Sequence, residues 1–556
     1  MSAARPPARA VRVGIDAGGT FTDTVAERAD GTLAFDKRLS TPARPAEAVI
    51  AALRALAGDS PAGRIVHGST VATNAFLEGR TAPVGLITNR GLEDVPAIGR
   101  QARRRLYDLR PEGPRTLLPR ERVRGISART GADGEEVAPL DLRELAAAAR
   151  ELEAAGAEVL VVALLHSARW PEAERAAVRA LVEAGWTVVA SHAVTPEPRE
   201  YERWSTAIVA AGLAPVVERW LGELEETLPA SELRVMLSNG GTATPREAAA
   251  RPIGAILSGP AAGVIGARVV ARAAGFDRLV TLDMGGTSCD VAVVPGRVER
   301  TTEAELDGIP LRVPLVDIQT VGAGGGSIAR VDRAGALAVG PESAGADPGP
   351  ACYGRGGERP TVTDAHLVLG HLDPDRFPGG LDTAAAEAAM GRLAAAAGAG
   401  LRETAAAVLA LARSHLERAV RRVTLERGHD PADFPLVAFG GAGGLHAAAL
   451  AEGLGVRRIL VPRAAGVLSA LGCLAADARL DFGRAILEPA EAWPAERLDG
   501  VFAELQAEGA AGLEREGVAP GDRAFVRTLA MRYRGQSYET EVGFDPAGAG
   551  PEVDFH

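Results

Sequence analysis

Apolar and polar residues alternate over VRVGID at 11–16, and the alternation ends on an acid, Asp16. A glycine-rich turn, AGGT, follows at 17–20, and a second β-prone run at 21–26 carries Asp23. Period-two apolar positions on both sides of a short glycine turn predict a strand, a tight turn and a returning strand. The pattern continues past Gly31 into 32–39, which predicts a three-stranded meander. Farther along, helices are predicted at 45–57, 140–155, 171–184 and 401–427, with a long one at 200–228 interrupted near Gly212 and Pro215. Short apolar runs at 64–67, 82–88, 158–165, 186–191, 234–238, 436–439 and 458–461 predict strands between them. Strands alternating with helices argue for α/β domains. Residues 99–124 are rich in Arg and Pro without a period, which predicts an irregular excursion over a cleft. Residues 344–357 (AGADPGPACYGRGG) hold too much Gly and Pro for regular structure and read as a long functional loop.

The opening hairpin recurs. TLDMGGTSCDVAVV at 281–294 repeats acid, two glycines, threonine and second acid, so that Asp16 and Asp23 return as Asp283 and Asp290, both 267 positions later. A single glycine turn says little, but a D-x-G-G-T-x-x-D unit repeated this far apart predicts two similar domains facing one another. Glycine permits close backbone approach to a ligand, and amides exposed by such a turn form a concavity for anions. Gly18, Gly19 and Thr20 are therefore expected to grip phosphate, as are Gly285, Gly286 and Thr287, with Thr22, Asp23 and Asp290 beside them. Asp16 and Asp283 are the candidate catalytic acids and would hold Mg²⁺ directly or through water. One nucleotide would lie between the two hairpins.

Other glycine stretches extend this picture. FGGAGGLHAAA at 439–449 is a strand, a turn and a helix start, so Gly440, Gly441, Gly443 and Gly444 either contact an adenosine or form a packing turn. LSGPAAG at 257–263 either brings Gly259 to phosphate or simply begins a helix. In VHGSTVATN, His67, Thr70 and Asn74 either line a substrate pocket or are a core histidine and a polar helix start. Tyr353, Asp364 and His366 flank the long loop under the same two readings, and His446 follows a glycine turn that it could cap.

Composition removes several classes. The chain has 556 residues and a formal net charge of −11, with acids and bases interspersed, and its short Arg clusters such as 103–105 make no basic stripe for nucleic acid. Cys289, Cys352 and Cys473 are far apart and include no C-x-x-C, which argues against a disulfide framework and a cysteine-rich zinc site. No apolar run has the length of a membrane span and MSAARPPARA lacks a signal-peptide core, so the expected location is cytoplasmic.

The motifs GIDAGGTFTD, VHGSTVATNAFLE, YERWSTAIV, SNGG, SGPAAGVIGA, LDMGGTSCDV, IQTVGAGGGSIA, SAGADPGPACYGRGG, PTVTDAHLVLG and FGGAGGLHA appear in this order from Val11 to about Leu480. Together they resemble the hydantoinase A/5-oxoprolinase family. The resemblance implies an actin-like ATPase fold of the acetate and sugar kinase type, with two RNase H-like domains around a nucleotide cleft. It divides the chain into a tail at 1–10, a first domain at 11–195, a second at 196–486 and a partial C-terminal domain at 487–556, opened by RYRGQSYETEV. It also implies ATP and Mg²⁺ as cofactors, an oligomer with a B-type subunit as partner, and ATP-driven opening of a cyclic amide such as a hydantoin or 5-oxoproline. A ketone carboxylase subunit and an ATP-switched binding protein without substrate chemistry are the alternatives.

Overall fold

The computed structural model describes residues 10–19, 21–41, 45–57, 63–102, 107, 109–110, 115–228, 231–377 and 379–545. Thr20, the Arg103–Arg105 cluster and residues 546–556 lie outside the described residues.

The predicted meander forms β1 Ala10–Ala17, β2 Phe21–Arg28 and β3 Leu33–Leu39. β4 Arg64–Ser69 runs parallel to β1 on the far side from β2, and β5 Glu232–Met236 runs parallel to β4. The short edge strand Thr242–Ala243 completes the order edge–β5–β4–β1–β2–β3. A second sheet repeats the plan with β6 Arg278–Met284, β7 Cys289–Pro295, β8 Gln319–Val321, β9 Leu436–Phe439 and β10 Ile459–Leu460, in the order β8–β7–β6–β9–β10. In both sheets an antiparallel meander gains two parallel strands on the side of its first strand. This duplication is the actin-like arrangement of two RNase H-like domains. β5 lies beyond residue 195, at which the sequence divides the two units, because sheet membership follows hydrogen bonding rather than chain order.

Between β4 and β5 the chain inserts an all-parallel sheet of Val188–Ala190, Val159–Val162, Val84–Asn89 and Val123–Ile126. Val159–Val162 and Val84–Asn89 are buried along their whole length, as expected of parallel strands covered on both faces.

The helices that flank the hairpins and their sheets are α1 Val71–Leu77, α2 Glu200–Thr227, α3 Ser258–Ala273, α4 Val362–Leu369, α5 Gly443–Leu454 and α6 Leu468–Ala475. The interruption predicted near Gly212–Pro215 does not occur, and α2 runs through Pro215. Its residues from Tyr201 to Leu213 are all buried, and the Gly212 carbonyl accepts a hydrogen bond from the Ala82 amide at 2.9 Å. Tertiary packing along this buried stretch overrides the local penalty of proline.

Strand period two sorts the first sheet into faces. Val13, Ile15, Ile65 and His67 belong to the side covered by α2, where Trp220 lies. Gly14 and Asp16 occupy the other side, against α6 and α3, where a Cβ on Gly14 would fall 2.1 Å from the Ala470 carbonyl oxygen. α3 and α6, which follow β5 and β10 in equivalent places, cross so closely that a Cβ on Gly472 would meet the Ala262 carbonyl at 1.8 Å. Glycine is what lets this central pair touch backbone to backbone.

Candidate functional site

The two predicted hairpins superpose residue for residue in their bonding. Asp16 lies opposite Asp23 across β1–β2, and Asp283 lies opposite Asp290 across β6–β7. Each turn is closed by the same amide-to-carbonyl bond, Gly18 to Phe21 at 3.0 Å and Gly285 to Ser288 at 3.1 Å. Gly19, Gly286 and Thr287 are exposed at the tips, and no atom would obstruct a Cβ at Gly285 or Gly286.

The first turns of α3 bring the two acids together. A Cβ on Gly259 would lie 3.5 Å from Asp16 Oδ1, and one on Gly263 would lie 3.3 Å from Asp283 Oδ2. Positions four apart on a helix share a face and are separated by roughly 6 Å along the axis. Both carboxyls therefore flank one face of α3 about one turn apart. Asp16 Oδ1 is buried without any hydrogen-bond partner. Burial, then the nearby Asp23, pushes the Asp16 carboxyl up to about 6 against the pull of Lys37. Asp283 is pushed up to about 8 by burial first, then by Asp290, Asp16 and Asp23. Two poorly solvated carboxyls, each raised by burial and by neighbouring acids, form a place where a cation would relieve repulsion.

The second acid of each hairpin is already engaged. Asp23 accepts a hydrogen bond from Lys37 Nζ at 2.6 Å, and Asp290 accepts one from Thr320 Oγ1 at 2.6 Å. Thr22 does not reach the cleft: it is buried, its hydroxyl 3.0 Å from Ser40 Oγ, and Ser40 in turn donates to the Gly18 carbonyl. It supports the turn from behind.

The glycine loop after β9 closes on Asp283. Gly440 has φ +77°, and a Cβ there would fall 2.5 Å from Asp283 Oδ1. The Ala442 amide donates to the Met284 carbonyl at 2.8 Å. Gly443 is buried at the start of α5, whereas Gly441 and Gly444 are exposed with open space around them.

Thr70 and Asn74 stand beside the first tip. The Thr70 amide donates to the Ala17 carbonyl at 3.2 Å, Asn74 Nδ2 donates to Thr70 Oγ1 at 3.2 Å, and a Cβ on Gly19 would lie 3.9 Å from Asn74 Nδ2. His67 does not join them. Strand alternation turns it to the α2 side, where its ring packs edge-on against Trp220, 5.5 Å between centroids, and both nitrogens are buried without partners. Burial lowers its pKa to about 4, so it is a neutral core residue. The second tip is lined by backbone instead: the Gly325 amide donates to Gly285 at 3.1 Å and the Gly326 amide to Gly286 at 2.6 Å. The loop 344–357 begins there, with the Ala344 amide on the Gly326 carbonyl at 2.8 Å.

Asp364 is structural, capping α4 and accepting from the Thr361 and Cys352 amides. Tyr353 packs against the Phe377 ring. His366 lies between His371, with Nδ1 atoms 3.0 Å apart, and His446, with Nε2 atoms 3.2 Å apart. Burial and these neighbours lower His366 to about 3, and burial with His371 lowers His446 to about 4.

Sequence reasoning named Gly259 but missed Lys37 and Gly263. The i, i+4 glycine spacing inside SGPAAG could have flagged the second. For the first, the signal was that Lys37 is the one lysine in the sequence.

The family model described as hydantoinase/oxoprolinase matches residues 203–482, and its N-terminal-region companion matches residues 12–185. An uncharacterized protein of Methanocaldococcus jannaschii is 38% identical, over 96% of this chain and 81% of its own length. The caprolactamase subunit alpha of Pseudomonas jessenii is 36% identical over 96% of this chain and 80% of its own. A crystal structure of the ATP-dependent caprolactamase from that organism aligns at a TM-score of 0.85 with 34% identity, covering 96% of this chain and 81% of that one. The acetone carboxylase beta subunit of Xanthobacter autotrophicus is 33% identical over 98% of this chain and 81% of its own. A nucleotide-free acetone carboxylase structure aligns at a TM-score of 0.75 with 32% identity, covering 98% of this chain and 82% of that one.

Proposed function

The chain belongs to the hydantoinase/oxoprolinase family, and from that premise we propose that it is the ATP-using subunit of an enzyme that opens a cyclic amide. The observation that carries this reading is the pair Asp16 and Asp283, one from each duplicated hairpin, set about one turn apart on one face of α3. ATP would lie with its phosphates between the two glycine tips and its adenosine side toward Gly441 and Gly444 at the start of α5.

The donor set fits Mg²⁺. Among the described residues no group of three or more His, Cys, Asp or Glu converges on a metal position. Mg²⁺ is ordinarily held by one or two carboxylates, with waters and substrate phosphates completing its shell. Asp16, with its unpartnered Oδ1, and Asp283 supply those carboxylates. The ion would neutralise charge on the transferring phosphoryl group. Asp16 and Asp283 orient that group, while the Gly19 and Gly286 amides at the tips, which take no part in turn closure, stabilise its oxygens.

In the proposed reaction the amide oxygen attacks the γ-phosphorus and ADP leaves. Water then adds to the activated ring carbon, the ring C–N bond breaks with a proton going to nitrogen, and inorganic phosphate leaves as the carboxylate forms. Thr70 and Asn74, beside the first tip, are the side chains proposed to contact the amide. A B-type subunit is the proposed partner, since the caprolactamase and acetone carboxylase relatives are themselves subunits.

The acetone carboxylase match supports a second reading, in which the same site phosphorylates a ketone enolate or bicarbonate. Phosphate release measured with hydantoin, 5-oxoproline, caprolactam and acetone plus bicarbonate, with and without a co-expressed B-type subunit, separates the two. Stimulation by a cyclic amide supports the first, stimulation only by ketone and bicarbonate supports the second, and stimulation by none overturns both.

A further inference from the structure

Every other one of the chain's 61 lysine and arginine residues is arginine; Lys37 is the single lysine. It lies on β3 directly opposite Asp23 of the first hairpin. Its Nζ donates to Asp23 Oδ1 at 2.6 Å and to the Gly466 carbonyl at 3.0 Å, and it stands 4.7 Å from the centroid of the Phe21 ring. Gly466 belongs to the short turn Ala465–Val467 that leads into α6. The neighbouring Ala465 carbonyl accepts from the Gly440 amide at 3.0 Å, and Gly440 is the residue folded over Asp283 Oδ1. One ammonium thus ties the first hairpin to the segment that positions the second acid.

The chemistry explains why a protein that otherwise uses arginine keeps a lysine here. An ammonium is a compact point charge with three donors disposed around one atom, whereas a guanidinium is a wide planar fork suited to bidentate partners. A carboxylate, a carbonyl and a ring face converging on one centre match the first. Lys37 is also the cation whose charge opposes the mutual repulsion at both Asp16 and Asp283.

We propose that Lys37 is a positioning residue for phosphoryl transfer, a clasp from Asp23 to Gly466 that holds Asp16 and Asp283 at one separation across the nucleotide. The inference rests on ATP occupying the cleft. The clasp closes on two groups of the protein itself, Asp23 and the Gly466 carbonyl, so its contribution lies in alignment during turnover more than in capture of ATP.

Lys37→Met and Lys37→Arg are compared with the wild-type chain by phosphate release and by calorimetric ATP binding. In Lys37→Met, kcat falls at least tenfold while the ATP dissociation constant changes less than threefold, and Lys37→Arg recovers no more than threefold of the loss. A Lys37→Arg turnover within twofold of wild type, or a Lys37→Met defect carried entirely by ATP affinity, overturns the proposal. A second arm needs no variant. Acetylation with an amine-reactive ester can reach only Lys37 and the N-terminal amine, and peptide mapping separates them. Protein acetylated at Lys37 still binds ATP but has lost turnover. Full turnover after labelling contradicts the clasp. Wild-type protein that binds no Mg·ATP defeats the function reading itself, whereas ATP binding with an indifferent Lys37 defeats only this inference.

Discussion

The two hairpins share backbone register and turn closure yet differ in what surrounds them. Around the first tip stand polar side chains, Ser40, Thr70 and Asn74, and the cation Lys37 is paired with Asp23. Around the second tip the neighbours are glycine backbones, Gly325, Gly326 and Gly440, and Asp290 is held by the neutral Thr320 hydroxyl. The electrostatic outcome follows: Asp16 is raised to about 6 and Asp283 to about 8. Duplication preserved the shape that suits phosphate and allowed the charge environment to diverge. The first half presents polar side chains at its tip, and the second packs backbone closely around a buried acid.

The strongest way to break this comparison is to neutralise each acid in turn. Asp283→Asn removes the charge at nearly constant volume. Loss of one electrostatic contact to a developing charge costs on the order of 10²–10³ in turnover. Steady-state phosphate release is expected to fall by about that much in both Asp283→Asn and Asp16→Asn, with ATP affinity less affected because charge stabilisation matters most in the transition state. Wild-type turnover in either variant, with the fold intact, would leave that hairpin a structural feature only.

Gly440→Ala tests the packing of the second half. The positive φ and the approach of Asp283 Oδ1 make any Cβ strained there, while Gly441 is open. A non-glycine residue held in a sparsely populated backbone region costs about 1–3 kcal/mol. Thermal unfolding and phosphate release should both suffer in Gly440→Ala, whereas the unfolding temperature should be nearly unchanged in Gly441→Ala. Equal effects would mean that the loop does not fix Asp283.

The bracing acids should differ less. Asp23→Asn loosens the Lys37 contact, whereas Asp290→Asn keeps a hydrogen-bonding partner for Thr320. Turnover is expected to drop several-fold more in the first than in the second, measured at saturating ATP. The reverse order would contradict the assignment of the cation to the first half.

Both hairpins were legible in the sequence because their chemistry is local: acid, glycines and second acid fall within one turn and its flanking strands. The helix 45–57 and the strand 436–439 were legible for the same reason. What was not legible depends on partners far along the chain. The continuity of α2 through Pro215 goes with burial of the helix against distant parts of the chain. The membership of β5 in the first sheet is decided by its pairing with β4. His67 looked like a pocket residue beside Thr70 and Asn74, but a strand puts adjacent residues on opposite faces, and α2 covers that one.

The smallest expected effect concerns that histidine. His67, His366 and His446 are held below the ordinary histidine value, at about 4, about 3 and about 4. Their pKa is lower folded than unfolded, so between about 4 and 6.5 the unfolded chain binds protons that the native one does not, and stability rises with pH there. Each such group contributes at most about 2 kcal/mol between pH 6.5 and 5. Asp16 and Asp283, raised to about 6 and about 8, pull the other way, because there the native chain binds protons that the unfolded one does not. The histidine contribution is therefore read as a difference: from pH 5 to 6.5 the Tm of His67→Leu, which also loses two unpaired buried nitrogens, should gain less with rising pH than that of the wild type. Turnover in His67→Leu should stay within about twofold of wild type, as expected for a side chain outside the cleft. A larger loss with unchanged stability would return His67 to the site.

The central claim is that the two unlike halves hold one nucleotide between them. Isothermal titration of the full chain with ATP tests it most directly, once with Mg²⁺ and once with the ion chelated. The expected result is a single site per chain that weakens strongly on chelation and is disturbed by Asp16→Asn and Asp283→Asn alike. Two independent sites, no binding, or binding indifferent to Mg²⁺ and to either acid would contradict it.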